Sequence, residues 1–188
     1  MITNTADRRQ RKRYRRQRLA LAPVVAALAI GGCAMFSHDR RDELDGPALT
    51  DEQTRSQVGE PAKQIVKAAG LQGLFPVFRF ESCNDQNEAP YRGVAEVGFT
   101  FPANVDEQAY IDQVAAAMAG LGWSEGPPPG KMPYGRVLHT EQLMAIMAPL
   151  PDDRRYGDIT IYGQCRNLTD HRKDEGPVYQ DFTEELTG

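Results

Sequence analysis

The chain has 188 residues, of which 40% are apolar and 26% charged, a balance typical of a globular protein rather than a disordered one. Its 17 glycines and 13 prolines predict many turns and exclude an all-helical bundle. The net charge of -4 hides two opposed segments, because residues 1–32 hold eight basic side chains against Asp7 while the remainder holds 14 basic and 25 acidic ones. We expect no nucleic-acid partner, since the acidic remainder repels polyanions.

The N-terminus has the pattern of a lipoprotein signal peptide over residues 1–32. Its basic run is followed by twelve uncharged residues, LALAPVVAALAI, which are too few to span a bilayer but typical of a signal-peptide core. Next stands Ile30-Gly31-Gly32-Cys33, which resembles the bacterial lipobox. The resemblance implies acylation of Cys33 at sulfur and cleavage after Gly32. The alternative is an ordinary secretory signal that happens to precede a cysteine.

Lipidation predicts where the protein resides. Two or three acyl chains give stable anchoring, so we expect a lipid-anchored protein on the extracytoplasmic face of the cell membrane. The general secretory route is favoured over the twin-arginine route, because Arg18 occupies a position that is usually apolar. Residues 33–49 are rich in charge and lack amphipathic periodicity, which predicts a flexible spacer.

Export also decides how the other two cysteines are interpreted. Cys83 and Cys165 form an even pair in a compartment where disulfides persist, and this predicts a bond between them. A reduced, reactive thiol is the alternative.

A helix is the first element predicted after the spacer. Thr50-Asp51-Glu52-Gln53 is a capping box, apolar residues recur at helical spacing as far as Ala69, and Gly70 ends the pattern. Gly59 and Pro61 interrupt this pattern, so we expect a kink or two short helices.

Two strands and a second helix come next. Alternating apolar residues predict strands over 78–83 and 95–101, paired antiparallel across the turn-rich connector 84–90. Asn104 is the predicted N-cap of the second helix, which Gly120 and Gly122 end.

Short strands are predicted over the last part of the domain. One begins at Trp123, and three more are predicted over 136–140, 143–148 and 158–164. The GPPPG sequence over 126–130 predicts a stiff turn, with a recognition loop as the alternative.

Strand parity relates the number of strands to the predicted disulfide. Without the short strand at Trp123 the two cysteines would lie at opposite edges of the sheet, so the bond favours six strands. With six strands, the first and the sixth end at the same edge of the sheet, which brings Cys83 and Cys165 within bonding range if those strands are near neighbours. We predict an α+β two-layer sandwich, with a largely antiparallel sheet of about six strands and two helices on one face. Residues 50–166 are the predicted single domain, and residues 167–188 a polar C-terminal tail.

This topology also predicts a polar cluster beside the disulfide, made of Asn84, Asp85, Tyr91, Arg92, Arg166 and Asn167. In the structural interpretation, Asp85 pairs with Arg166 while the amides cap turns. In the functional interpretation, the cluster is a recognition patch for an envelope partner.

Several segments together resemble one protein family. They are QVGEPAKQIV over 57–66, SCNDQ over 82–86, PYRG over 90–93, GW at 122–123 with the GPPPG loop, and CRN at 165–167 followed by TDH at 169–171. In this combination the chain resembles the LppJ family of mycobacterial lipoproteins from the signal peptide nearly to the end. The resemblance implies an envelope lipoprotein and carries over no catalytic residue.

Catalytic and cofactor motifs are absent from the sequence. His139 and His171 stand in none of the usual metalloprotease, redox or hydrolase contexts, so we predict no catalytic residue, no metal site and no cofactor. His139 is interpreted as a structural or surface histidine. His171 is interpreted as part of a solvated charge run, with weak binding of a cation by the histidine and its neighbouring carboxylates as the alternative. The predicted function is a binding or scaffolding module that contacts an envelope protein, lipid or wall polymer. The alternative is a hydrolase or enzyme accessory that acts on envelope material.

Overall fold

The computed structural model describes residues 46–174 and 179–187. The predicted signal peptide and the lipidation residue Cys33 lie outside this part of the chain. The described residues form three helices and seven strands: α1 (Asp51–Ala69), β1 (Phe75–Ser82), β2 (Tyr91–Thr100), α2 (Glu107–Gly120), β3 (Ser124–Glu125), β4 (Arg136–His139), β5 (Met144–Pro149), β6 (Tyr156–Tyr162), β7 (Gln180–Asp181) and α3 (Thr183–Thr187). None of these helices is both long and apolar enough to cross a bilayer.

The strands form one sheet in the order β3-β4-β5-β6-β2-β1-β7, and all neighbouring strands are antiparallel. The α+β prediction is therefore confirmed, with one strand more than expected. β1 and β6 flank β2 and run in the same direction, so they end at the same edge of the sheet. A disulfide joins Cys83 to Cys165 at that edge, with the two Cα atoms 6.0 Å apart.

The core lies against one face of the sheet. Ala145, Ile161 and Ala95 stand opposite one another on β5, β6 and β2, so their side chains share a face. All three belong to the core cluster. The same cluster takes buried residues from both long helices, including Val58, Ala62, Ile65, Ile111, Val114 and Met118.

Helix α1 is continuous over Asp51–Ala69, so of the two predicted outcomes, a kink or two short helices, the second is wrong. The capping box forms as predicted: Thr50 accepts from the Gln53 amide at 3.2 Å, and Gln53 accepts from the Thr50 amide at 3.0 Å. Pro61 lies inside the helix, where burial of the apolar face against the sheet offsets the lost hydrogen bond.

The second helix begins later than the sequence suggests. Asp106, rather than Asn104, is the N-cap of α2, and its side chain accepts from the Ala109 amide at 2.8 Å. Asn104 instead takes a left-handed backbone conformation with φ of 62° in the preceding turn, which asparagine tolerates better than most residues.

The C-terminal segment corrects the prediction of a polar tail. Strand β7 pairs with β1, and the Phe182 and Leu186 side chains pack into the core. Gly59 provides the space, because a Cβ at that position would lie 2.7 Å from the Phe182 ring. The described part of residues 167–188 therefore belongs to the domain.

Candidate functional site

Tyr91 and Asn167 meet at the disulfide end of the sheet, as predicted, but both are buried. The Tyr91 amide donates to the Asn167 carbonyl at 2.7 Å, and the Asn167 amide donates back at 3.0 Å. Tyr91 is only 1% exposed, and its hydroxyl donates to the Asn87 carbonyl at 2.7 Å. Burial raises the pKa of the Tyr91 hydroxyl. Neither residue is available to a partner as a surface group.

Asn84 organises the β1–β2 connector. Its side-chain oxygen accepts from the amides of Gln86 and Glu88, and its amide nitrogen donates to the Glu88 carbonyl at 3.0 Å. Asp85 is exposed and contacts the Gln86 side chain. This is the turn-capping role that the structural interpretation assigns to an amide.

Arg92 belongs to a different surface. Its guanidinium pairs with Glu81 on β1 and lies over the Tyr162 ring on β6, 4.5 Å from the ring centroid. Alternation along β2 places Arg92 on the face of the sheet opposite the core residue Ala95. Arg92 is thus separated from the buried Tyr91 despite being its neighbour in sequence.

Arg166 binds the segment that leads to the N-terminus. Its guanidinium donates to the Pro47 carbonyl at 2.7 and 2.9 Å and to the Gln164 side chain at 2.8 Å. The predicted pair between Asp85 and Arg166 does not form. Because the Leu49 amide also donates to the Arg166 carbonyl at 2.8 Å, the last residues of the predicted spacer are fixed to the domain.

His171 is the residue whose environment departs most from the sequence interpretation. Its side chain is 6% exposed and stacks on Phe80, with the ring centroids 3.7 Å apart. Nδ1 lies 2.8 Å from an Asp174 carboxylate oxygen, and Nε2 lies 3.4 Å from Asp51. The Nε2 atom is buried and makes no hydrogen bond. His171 is thus packed between two carboxylates instead of lying in a solvated charge run.

Hydrogen bonds hold the Asp51 side chain at the start of α1. Burial acts to raise the pKa of the Asp51 carboxyl, but hydrogen bonds from Asn167 and Thr169, together with His171, outweigh it and lower the pKa below its usual value. The Asn167 side chain donates to Asp51 at 2.8 Å and to Thr54 at 3.2 Å. These bonds join the start of α1 to the end of the sheet.

A groove of about 1210 Å³ lies at this same end of the sheet, and sequence reasoning did not predict it as a site. It runs between the first half of α1, the GPPPG loop and the adjoining ends of β4, β5 and β6. Its apolar lining consists of Pro61, Pro128, Pro129, Leu143 and Met144. The volume exceeds the roughly 300–1,000 Å³ of most small-molecule sites, so the groove is large enough for a chain-like ligand.

Two lining residues, Gln57 and Gln164, are bonded to each other. The Gln57 side chain donates to Gln164 at 3.0 Å and accepts from the Gln164 amide at 2.9 Å. The backbone of Gln57 differs, because its carbonyl would accept from the amide of residue 61 in a regular helix and Pro61 has no N–H. Pro61 therefore removes the helical donor of the Gln57 carbonyl, and Gln57 is one of the lining residues.

His139 also lines the groove. Its Nδ1 lies 2.8 Å from the Gly126 carbonyl oxygen, which only accepts, so Nδ1 carries the proton in the neutral ring. Nε2 is then the acceptor nitrogen of a residue that lines the groove. The structural interpretation of His139 accounts for Nδ1 but not for Nε2.

Charge on the lining is predominantly negative. Glu60 and Glu141 are both exposed carboxylates, and Lys131 is the basic residue among the lining side chains. In the described residues, no cluster of three or more His, Cys, Asp or Glu side chains has the arrangement of a metal site.

The GPPPG loop continues into an exposed tip beside the groove. Met132 is 94% and Tyr134 97% exposed, the two most exposed large apolar side chains among those described. The sequence signal for this region is the proline-rich loop itself, which is interpreted as a stiff turn or, alternatively, as a recognition loop. A stiff backbone that presents Met and Tyr to solvent is typical of protein-binding surfaces.

Comparison with known proteins gives one consistent result. The family model described as "Putative lipoprotein LppJ" matches residues 50–185. A protein of that name from Mycobacterium tuberculosis (strain CDC 1551 / Oshkosh) is 44% identical over 183 residues, covering 93% of this chain and 94% of its own. A protein of the same name from Mycobacterium bovis (strain ATCC BAA-935 / AF2122/97) is 43% identical over the same shares. No solved structure matches the chain.

Proposed function

The chain belongs to the LppJ family of lipoproteins, and we propose that it is a membrane-tethered binding module whose ligand occupies the groove between α1 and the GPPPG loop. Acyl chains on Cys33 attach the protein to the extracytoplasmic face of the cell membrane. The groove is the observation that carries the binding role, because its lining combines apolar side chains with polar and charged ones.

The position of the tether supports this assignment. Gly46 lies against the Arg166 guanidinium, which in turn donates to Gln164 on the groove lining. Twelve residues separate Cys33 from Gly46, and a chain of that length reaches at most about 45 Å. The tether therefore keeps Gly46 within about 45 Å of the bilayer, and the ligand of the groove would be a component of the membrane-proximal envelope.

Site-specific photocrosslinking of the lipidated protein in its own membrane tests the binding role. We would place p-benzoyl-phenylalanine at Gln142, an exposed lining residue, and in a control variant at Val105, which is exposed elsewhere on the domain. Ultraviolet light should give a discrete adduct from position 142 and none from position 105. Failure to obtain any adduct from the groove, in protein that remains folded and lipidated, would overturn the binding role.

A Cys33→Ala variant tests the tether separately. Metabolic labelling with a palmitate analogue should mark the wild-type protein and leave the variant unlabelled, with the variant accumulating as an uncleaved or released form. Equal labelling of both proteins would refute acylation at Cys33.

A further inference from the structure

We propose that the occupant of the groove is an extended polypeptide segment bearing Lys or Arg, supplied by a membrane-proximal protein partner. This inference rests on the proposed binding function and adds the chemistry of the ligand. It draws on the acceptors, charges and exposed side chains of the groove and of the loop tip beside it.

Hydrogen-bonding capacity favours a donor-rich ligand. Pro61 removes the helical donor of the Gln57 carbonyl, and His139 keeps Nε2 as its acceptor nitrogen; both residues line the groove. The carboxylates of Glu60 and Glu141 accept as well. Lys and Arg carry three and five N–H donors and no acceptor, so their side chains complement such a lining.

Charge points in the same direction. The groove lining includes two carboxylates, Glu60 and Glu141, and one lysine, Lys131. Residues 33–188 as a whole carry 25 acidic and 14 basic side chains. This field repels anionic headgroups and polyphosphates and attracts cations. A basic segment is therefore favoured over an acidic lipid or polymer.

The aromatic content distinguishes a peptide from a sugar. Tyr162 and His139 supply the lining rings, and the guanidinium of Arg92 already lies over the Tyr162 ring. The exposed aromatic side chain beside the groove is Tyr134, at the loop tip with Met132. Since Tyr and Met are enriched at protein interfaces, the tip indicates that the partner is a protein.

Peptide titration tests the charge selectivity directly. The probes are two fluorescein-labelled nonapeptides, Ala-Lys-Pro-Ala-Lys-Pro-Ala-Lys-Ala and its glutamate counterpart, and the lipidated protein is held in a non-ionic detergent. Fluorescence anisotropy should show binding of the lysine peptide and none of the glutamate peptide. Equal binding of the two peptides, or binding of neither, would overturn the proposal.

A matched pair of double variants separates the groove from overall charge. Glu60→Gln with Glu141→Gln should weaken lysine-peptide binding about fivefold, the effect of roughly 1 kcal/mol from two exposed ion pairs. Asp152→Asn with Glu184→Gln removes the same charge elsewhere and should leave binding within about twofold. Equal loss in both pairs would assign the attraction to net charge and refute the site.

The adduct formed at position 142 in the membrane provides the second test. Mass spectrometry should identify a segment of another protein that contains Lys or Arg, and Met132→Ser with Tyr134→Ser should reduce its yield. A lipid, a glycan or a second copy of this chain in the adduct would overturn the proposal that the occupant is a segment of a partner protein. Any of these three would still support a binding groove, so the two proposals fail in distinguishable ways.

Discussion

Removal of the disulfide should destabilise the protein through its unfolded state. The bond joins residues 82 positions apart, and the chain-entropy model gives about 4.5 kcal/mol for a loop of that length. The double change Cys83→Ala with Cys165→Ala removes the bond without leaving a free thiol. At roughly 3–4 °C per kcal/mol for a domain of this size, the melting temperature should fall by about 15 °C.

The native fold should survive this change, because other contacts hold the same two strand ends together. The Gly163 amide donates to the Gly93 carbonyl at 2.9 Å, and Tyr91 and Asn167 exchange two backbone hydrogen bonds. Near-ultraviolet circular dichroism of the variant should therefore match that of the wild type. The difference should appear in the free energy of unfolding.

Denaturant unfolding of the lipidated protein in detergent, monitored at Trp123, measures that free energy. A reductant should lower the stability of the wild type to that of the double variant and leave the variant unchanged. A loss below about 1 kcal/mol, or an effect of reductant on the variant, would refute the entropic reasoning.

Three other substitutions test the C-terminal segment, the sheet and the buried histidine. Phe182→Ala should cost about 3–5 kcal/mol, because it empties a fully buried site against Gly59; a loss below about 1 kcal/mol in denaturant unfolding would return the segment to a tail. Burial raises the pKa of the Asp158 carboxyl, so the folded state binds this proton more tightly than the unfolded state does. The free energy of unfolding therefore falls as the pH rises from the pKa of the unfolded state to that of the folded state. Asp158→Asn should therefore raise the melting temperature at pH 7, and the melting temperatures of the variant and the wild type should converge near pH 3. The exposed control Asp152→Asn should leave the melting temperature unchanged at both pH values. An increase for Asp158→Asn that is the same at every pH would contradict this reasoning. His171→Ala should cost about 2–4 kcal/mol through loss of the Phe80 stack and the Asp174 contact, and full retention of stability would show that the histidine is dispensable to the fold.

Much of the fold follows from short sequence patterns that predict local structure. The capping box at Thr50, the alternation of apolar residues along β1 and β2, and the glycine that ends α1 each act within a few residues. Parity of the strands then places Cys83 and Cys165 at one edge, and the structure confirms that bond. The lipobox is also a local pattern, and the family comparison supports its lipoprotein reading.

The remaining features depend on contacts between distant segments. Phe182 and Leu186 stand in a polar stretch of the sequence, yet both pack into the core, and the absence of a side chain at Gly59 leaves space for the Phe182 ring. His171 belongs to a charge run in the sequence, yet Phe80 and two carboxylates bury it. The groove is likewise assembled from α1, four strands and the loops that join them. Tertiary packing decides such sites, because burial and charge pairing depend on neighbours that sequence spacing does not specify.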